Sequence, residues 1–212
     1  MSIRVGIYDF FARVIPGGLC LAAFLYILIR YFSFSINFIK LSTTQLIILG
    51  AIAYVIGFVL TPISGFLYRC FQPKNLYKKT IEQLSQELPA VEICYKNMDW
   101  GVLLSFIKRH NMDMGLDVEH LNAVSIMLRN ASLCTLLFTI IFCFEFIFIN
   151  RVPSLILLCN VCFVCAILLL KESIKFRTWF YRAIHQSVIA LIANPEDLAV
   201  KFKSGQTLDK SN

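Results

Sequence analysis

The sequence predicts an all-α membrane protein with four transmembrane helices, a helical cytoplasmic insert between helices 2 and 3, and a helical cytoplasmic tail. Three observations predict it. The 212 residues are 58% hydrophobic and only 16% charged, with a mean hydropathy of +0.71, whereas a soluble domain carries about 25% charged residues and roughly 45–50% apolar ones. The apolar residues are gathered in blocks long enough to cross a bilayer. Of the 20 lysines and arginines, 17 fall on one side of the membrane that those blocks define. Nineteen Phe and eight Tyr add bulk suited to lipid contact.

A span needs roughly 20 largely apolar residues, and four segments qualify: 14–29, 46–68, 131–149 and 153–170. Blocks this uniformly apolar read as helices rather than as alternating barrel strands, because hydrocarbon offers the backbone no partner outside its own segment. Only Asn150-Arg151-Val152 separates the last two spans, which therefore form a tight hairpin. Gly17-Gly18-Leu19-Cys20 has the outline of a lipoprotein cleavage site. Leu19 sits where that site needs a small residue, however, and the apolar run continues past Cys20, so the first span is expected to stay.

The basic residues set the orientation. Arg4 and Arg13 precede the first span, eight more lie between the second and third, and seven follow the fourth; Arg30, Lys40 and Arg151 stand opposite. The positive-inside bias places both termini and the long loop in the cytoplasm, against a bacterial inner membrane. The net charge of +7 and pI near 9.0 then reflect topology, and nucleic acid is not expected as a direct ligand. Residues 1–70 read as an N-terminal transmembrane hairpin, 71–130 as the insert, 131–170 as the C-terminal hairpin and 171–212 as the tail.

Within the insert, Leu76, Ile81 and Leu84 recur at helical spacing up to Glu87, with Asn75 as a candidate cap and Pro89 as a breaker. A short segment over 90–95 follows. Asp99 is the expected N-cap of a helix from Trp100 to His110. Asn111-Met112-Asp113-Met114-Gly115 reads as a loop, after which a helix from Asp113 or Asp117 runs unbroken into the third span. In the tail, Trp179, Phe180 and Tyr181 between basic residues read as interfacial anchors. Ile184, Val188, Leu191 and Ile192 form an apolar stripe suited to docking on the insert. Asn194-Pro195-Glu196-Asp197 is a candidate helix start, and the chain from Ser204 has the composition of a disordered end.

Motifs of enzyme chemistry are missing: no phosphate-binding Gly-rich loop, no H-E-x-x-H, no G-x-S-x-G. Neither catalytic residues nor a cofactor is expected. Of the eight cysteines, Cys70 and Cys94 are cytoplasmic and the rest lie within spans. The C-x-x-C-x-x-C spacing of Cys159, Cys162 and Cys165 reads as small apolar positions along one helix face, since thiolates are costly in hydrocarbon. His110 and His120 with Asp113 or Asp117 offer too few groups for a metal site.

More specific are Ala53, Gly57, Thr61 and Gly65, a ridge of small residues recurring every fourth position of the second span. Such ridges let helices approach closely in lipid, either within the chain, against Gly17, Gly18, Ala22 and Ala23, or between subunits of a homo-oligomer. Pro16 and Pro62 each delete a backbone hydrogen bond and are candidate hinges. Glu145 and Asn160 are polar residues inside spans, at similar depth counted from Arg151. They form a candidate polar cluster, either stitching the hairpin, with Glu145 reaching back to Arg151 as the other in-chain pairing, or lining a water-filled path. Tyr95, Trp100, Lys108 and Arg109 form a candidate surface for a soluble cytoplasmic partner.

Tyr8-Asp9-Phe10-Phe11 leading to Pro16-Gly17, Ala53-Tyr54 followed by Gly57, and Arg129-Asn130 entering the third span carry a family likeness. In these short motifs the chain resembles small four-span bacterial inner-membrane proteins of phage-defence systems, such as the membrane subunit of Kiwa and the four-span effectors of nucleotide-signalling systems. The resemblance implies an oligomeric four-span protein that senses membrane disturbance or a cytoplasmic partner; with enzyme motifs missing, the chain is read as a non-enzymatic protein of this kind. A small channel or transporter with a housekeeping role, or an anchor that recruits a soluble enzyme, are the alternatives.

Overall fold

The computed structural model describes residues 3–32, 42–87, 98–149 and 151–192. They form six helices and, among the described residues, no strand: α1 (Ile3–Phe32), α2 (Thr43–Phe71), α3 (Leu76–Glu87), α4 (Trp100–His110), α5 (Met112–Phe148) and α6 (Pro153–Ile192). α1, α2, α5 and α6 are each long and apolar enough to cross a membrane, as the four hydropathy blocks predict. The segment over 90–95, Pro89, the helix start at Asn194 and the chain end from Ser204 lie outside the described residues.

Local chemistry sets the helix ends. Ser42 and Gln45 close a capping box that starts α2: the Ser42 hydroxyl accepts from the Gln45 N–H (3.3 Å) and the Gln45 side chain accepts from the Ser42 N–H (2.9 Å). Asn75 precedes α3 with φ 61°, a left-handed conformation that asparagine tolerates better than most residues. Asp99 caps α4 as its spacing predicts, accepting from the Gly101 N–H at 2.6 Å. The loop expected over 111–115 shrinks to one residue. Asn111 donates its N–H to the Ile107 carbonyl (2.7 Å), ending α4, while its side chain accepts from the Met114 N–H (3.1 Å), starting α5. A Cβ at Gly115 would lie 2.5 Å from Lys108 Cγ. Only glycine permits so tight a corner.

The chain divides into two compact units, Met1–Gln72 with Ala123–Phe176, and Pro73–Asn122 with Arg177–Asn212. These boundaries differ from the expected insert and tail. The first turns of the expected tail, and residues 123–130 of the expected insert, belong with the apolar helices.

In the first unit α5 is the central helix. It lies parallel to α1, with the Cys134 thiol donating to the Pro16 carbonyl (3.1 Å) and Tyr26 edge-on to Phe142 (5.8 Å). It meets α2 through Asn130, and α6 through three levels of an antiparallel hairpin. Ser125 and Ser173 exchange bonds to each other's carbonyls (2.9 Å each), Ser132 donates to the Ala166 carbonyl (2.7 Å), and Cys143 faces Cys159. α1 and α2 make the closest approach. A Cβ on Gly17 would fall 1.8 Å from the Ala53 carbonyl oxygen, and one on Gly57 2.0 Å from the Arg13 carbonyl oxygen. Both helices run unbroken through their prolines. Pro16 is buried, its carbonyl accepting from Cys134 of α5, and Pro62 is exposed.

In the second unit, α3, α4, the start of α5 and the end of α6 share a core of Ile81, Leu84, Leu103, Ile107, Val118, Phe180, Ile184 and Val188. Of the tail stripe, Ile184 and Val188 are buried as its spacing predicts and Leu191 is half-buried. Phe180 and Tyr181 are buried in this core rather than anchoring at an interface, because the helical period that buries Ile184 and Val188 turns them inward with it. Trp179 alone of the three is exposed.

Two outcomes follow from these contacts. Gly17→Ala or Gly57→Ala must force α1 from α2 and is expected to cost about 1–3 kcal/mol, read as a lower unfolding midpoint in detergent. Gly18→Ala and Gly50→Ala, where an added Cβ meets nothing within 4 Å, should be neutral or stabilising by up to about 1 kcal/mol.

α6 is 40 residues long, about 60 Å, twice the hydrocarbon thickness of about 30 Å. His185 therefore lies beyond the apolar run of 153–170, buried beside the Tyr77 ring (5.5 Å). Burial lowers its pKa to about 4 from an ordinary 6.5. The unfolded chain then takes up the proton first, so the stability from neutral His185 is complete above pH 6.5 and is lost as pH falls towards 4. Between pH 7.5 and 4.5 the wild type should lose about 2–3 kcal/mol more than His185→Leu, measured by urea unfolding followed by near-UV circular dichroism.

Candidate functional site

Polar groups on apolar helices are the natural place to look for function, because each must find a partner or water there. Glu145 is 2% exposed. One carboxylate oxygen accepts from the Tyr26 hydroxyl (2.5 Å) and the other from the Arg30 guanidinium Nε (3.0 Å). α1 and α5 run parallel, so Arg30 and Glu145 come from corresponding ends of the two helices. This corrects the expected pairing across the hairpin. Asn160 is exposed and its amide donates to the Ile156 carbonyl of its own helix (2.9 Å), so Glu145 and Asn160 are not brought together. The reason is rotational: equal depth on adjacent helices does not place two side chains on facing sides.

Sequence reasoning missed a second polar node. Asn130, fully buried, donates to the Thr61 hydroxyl (3.1 Å) and accepts from the Ser64 hydroxyl; Arg129 Nε donates to Ser64 Oγ (3.1 Å) and its Nη2 to the Thr61 carbonyl (3.3 Å). The Arg129 guanidinium also stands 5.6 Å from the centre of the Tyr68 ring. Arg129-Asn130 enters the sequence analysis only through the family likeness; Thr61 and Ser64 give no signal beyond being small. On α1, Arg13 donates to the Tyr54 hydroxyl (2.9 Å) and lies over the Tyr54 and Phe58 rings. These contacts divide the small-residue ridge. Ala53 and Gly57 receive α1, Thr61 binds Asn130, and Gly65 faces the Arg129 guanidinium 3.8 Å from where a Cβ would stand.

The proposed partner surface loses two of its members. Trp100 is half-buried, edge-on to Phe180 (5.5 Å) and beneath the Arg177 guanidinium (5.4 Å). Arg177 also stands over Phe180 and Tyr181 and donates to Tyr181 Oη (3.0 Å) and to Asn122 Oδ1. Lys108 is tied to Glu119 with its stem against Gly115. Both side chains are turned inward because a helix of 11 residues carrying Leu103, Leu104 and Ile107 buries the flanks of that stripe as well. Arg109 is exposed, and Tyr95 lies outside the described residues. Cys159 faces Cys143, Cys162 is half-buried and Cys165 exposed. His110 contacts its own helix, through the Phe106 carbonyl (2.9 Å) and the Phe106 ring (4.2 Å). Among the described residues no group of three His, Cys, Asp or Glu could hold a metal ion.

Breaking the ion pair from one side strands a charge, whereas replacing both partners does not. Arg30→Gln is expected to lower stability by about 1–3 kcal/mol, discounted for the half-exposed guanidinium. Arg30→Gln with Glu145→Gln should recover most of that loss. Thermal unfolding of the four proteins of the double-mutant cycle in detergent measures the coupling. Comparison with known proteins adds no constraint, for no family model, curated protein or solved structure matches the chain.

Proposed function

We propose that this is a non-enzymatic membrane protein that couples a helical cytoplasmic region to the bilayer, as a sensor or effector component of bacterial phage defence. It would sit in the inner membrane with both termini cytoplasmic, as the distribution of basic residues argues. One observation carries the coupling reading. α5 and α6, of 37 and 40 residues, each contribute to both compact units without a break in the helix. A continuous helix carries rotation or translation along its axis, whereas a plain anchor needs only a flexible tether.

The in-chain pairing of Glu145 weighs against the channel alternative. A ring of Glu145 carboxylates around an axis would need them free of Tyr26 and Arg30. Likewise, Gly57 is occupied by α1, so self-association has to use a surface other than that part of the ridge. The phage-defence assignment draws its support from the sequence likeness alone.

Inserting three glycines after Asn122 and three after Phe176 keeps both units but interrupts both helices between them. In cells challenged with a phage panel, the insertions should return plating to that of cells lacking the gene, with the protein still extracted from membranes only by detergent. Full protection by the doubly inserted protein would favour the anchor. Equal plating with and without the wild-type gene would remove the defence assignment.

A further inference from the structure

Near the turn that joins α5 to α6, the two helices meet through sulfur. Cys143 Sγ and Cys159 Sγ stand 2.8 Å apart, and both cysteines are free thiols. A disulfide bond is about 2.05 Å long, so joining the two sulfurs asks for a movement of less than about 1 Å. The Cys159 thiol donates to the Thr139 carbonyl of α5 (3.8 Å), which turns its hydrogen aside and presents a sulfur lone pair to Cys143. Cys159 opens the C-x-x-C-x-x-C run, whose spacing by itself reads as packing; the tertiary structure sets a second thiol against it.

Position decides what can reach this pair. Each cysteine is eight residues from Arg151, about 12 Å along its helix, on helices apolar enough to span a membrane. Both sulfurs are half-buried rather than sealed in, and their sequence neighbours Phe144 and Leu158 are exposed. A charged oxidant pays to enter hydrocarbon, whereas a lipid-soluble one is already there.

We propose that Cys143 and Cys159 are a disulfide-forming pair oxidised by a lipid-soluble quinone. Two S–H bonds break and one S–S bond forms. The two electrons and two protons pass to the quinone, whose two carbonyl oxygens become the hydroxyls of a hydroquinone. Because the quinone takes protons and electrons together, no thiolate has to persist in hydrocarbon. The product is neutral and ties α5 covalently to α6. The assignment goes beyond the coupling reading and does not depend on it.

The test uses the full chain, reduced and reconstituted in phosphatidylcholine nanodiscs, and mixed with decylubiquinone, whose fully substituted ring oxidises thiols without alkylating them. Absorbance reads hydroquinone formation. Peptide mass spectrometry, after free thiols are blocked with a maleimide, reads which cysteines are joined. The wild type should form hydroquinone and yield a peptide pair linked through Cys143 and Cys159. Cys143→Ser and Cys159→Ser should each abolish that hydroquinone, while Cys162→Ser with Cys165→Ser should leave the yield unchanged. Unfolding midpoints confirm that each variant is folded. Tetrathionate, a charged oxidant, should join the pair more slowly than decylubiquinone does. Equal hydroquinone from the wild type and either single serine variant would overturn the pair, as would the absence of the Cys143–Cys159 link after quinone treatment. An equal or faster rate with tetrathionate would overturn the quinone as oxidant.

Discussion

A polar group left unpaired in hydrocarbon costs several kcal/mol, and in this protein that constraint bears hardest on α5. From Ser125 to Glu145 the helix carries a polar or sulfur-bearing side chain at almost every turn; Thr135 and Thr139 bond carbonyls of α5 itself, while the others named below each meet a particular neighbour. Ser125 and Ser132 bond α6, Asn130 bonds α2, Cys134 reaches the Pro16 carbonyl and Glu145 takes Tyr26 and Arg30 from α1. Between lipid and side chain there is no hydrophobic drive to favour one apolar face over another. Register between these helices therefore comes from the few groups that cannot tolerate lipid. Remove them, and α5 would have little reason to sit at one rotation rather than the next.

Small residues make those bonds reachable. The α1–α2 contact brings backbone against backbone at Gly17 and Gly57, close enough that no Cβ fits. That approach sets α1 where Tyr26 and Arg30 can reach Glu145. Further along α2 the same period of four serves another purpose. Thr61 and Ser64 are small enough to let Asn130 and Arg129 lie across the helix, and Gly65 leaves room for the guanidinium. One ridge thus has two neighbours, α1 and then α5.

The second unit is held by the rules of water-soluble packing. Its apolar side chains gather on one face of each helix, and its two most conspicuous basic residues, Lys108 and Arg177, are spent on holding the fold together. Arg177 stacks over three aromatic rings and Lys108 closes the α4–α5 corner with Glu119. Side chains that read as a sticky exterior are therefore structural.

Much of this was written locally in the chain. Four apolar blocks, the cap at Asp99, the period of Leu76, Ile81 and Leu84, and the stripe of Ile184 and Val188 are all properties of neighbours in sequence. Hydropathy and the 3.6-residue period act on such neighbours directly. The α4–α5 corner escaped because Asn111-Met112-Asp113-Met114-Gly115 looks like a loop by composition, while one asparagine with a bare Gly115 beside Lys108 can make the turn alone. What the tertiary structure decided was lateral choice: Glu145 against Arg30 rather than Asn160, Asn130 against Thr61 and Ser64, and Trp100 turned under Arg177. A helix surrounded by lipid is apolar on every side, so no periodicity marks which side meets which helix. That choice falls to hydrogen bonds and close contacts between residues as many as 119 positions apart, which no local pattern can encode.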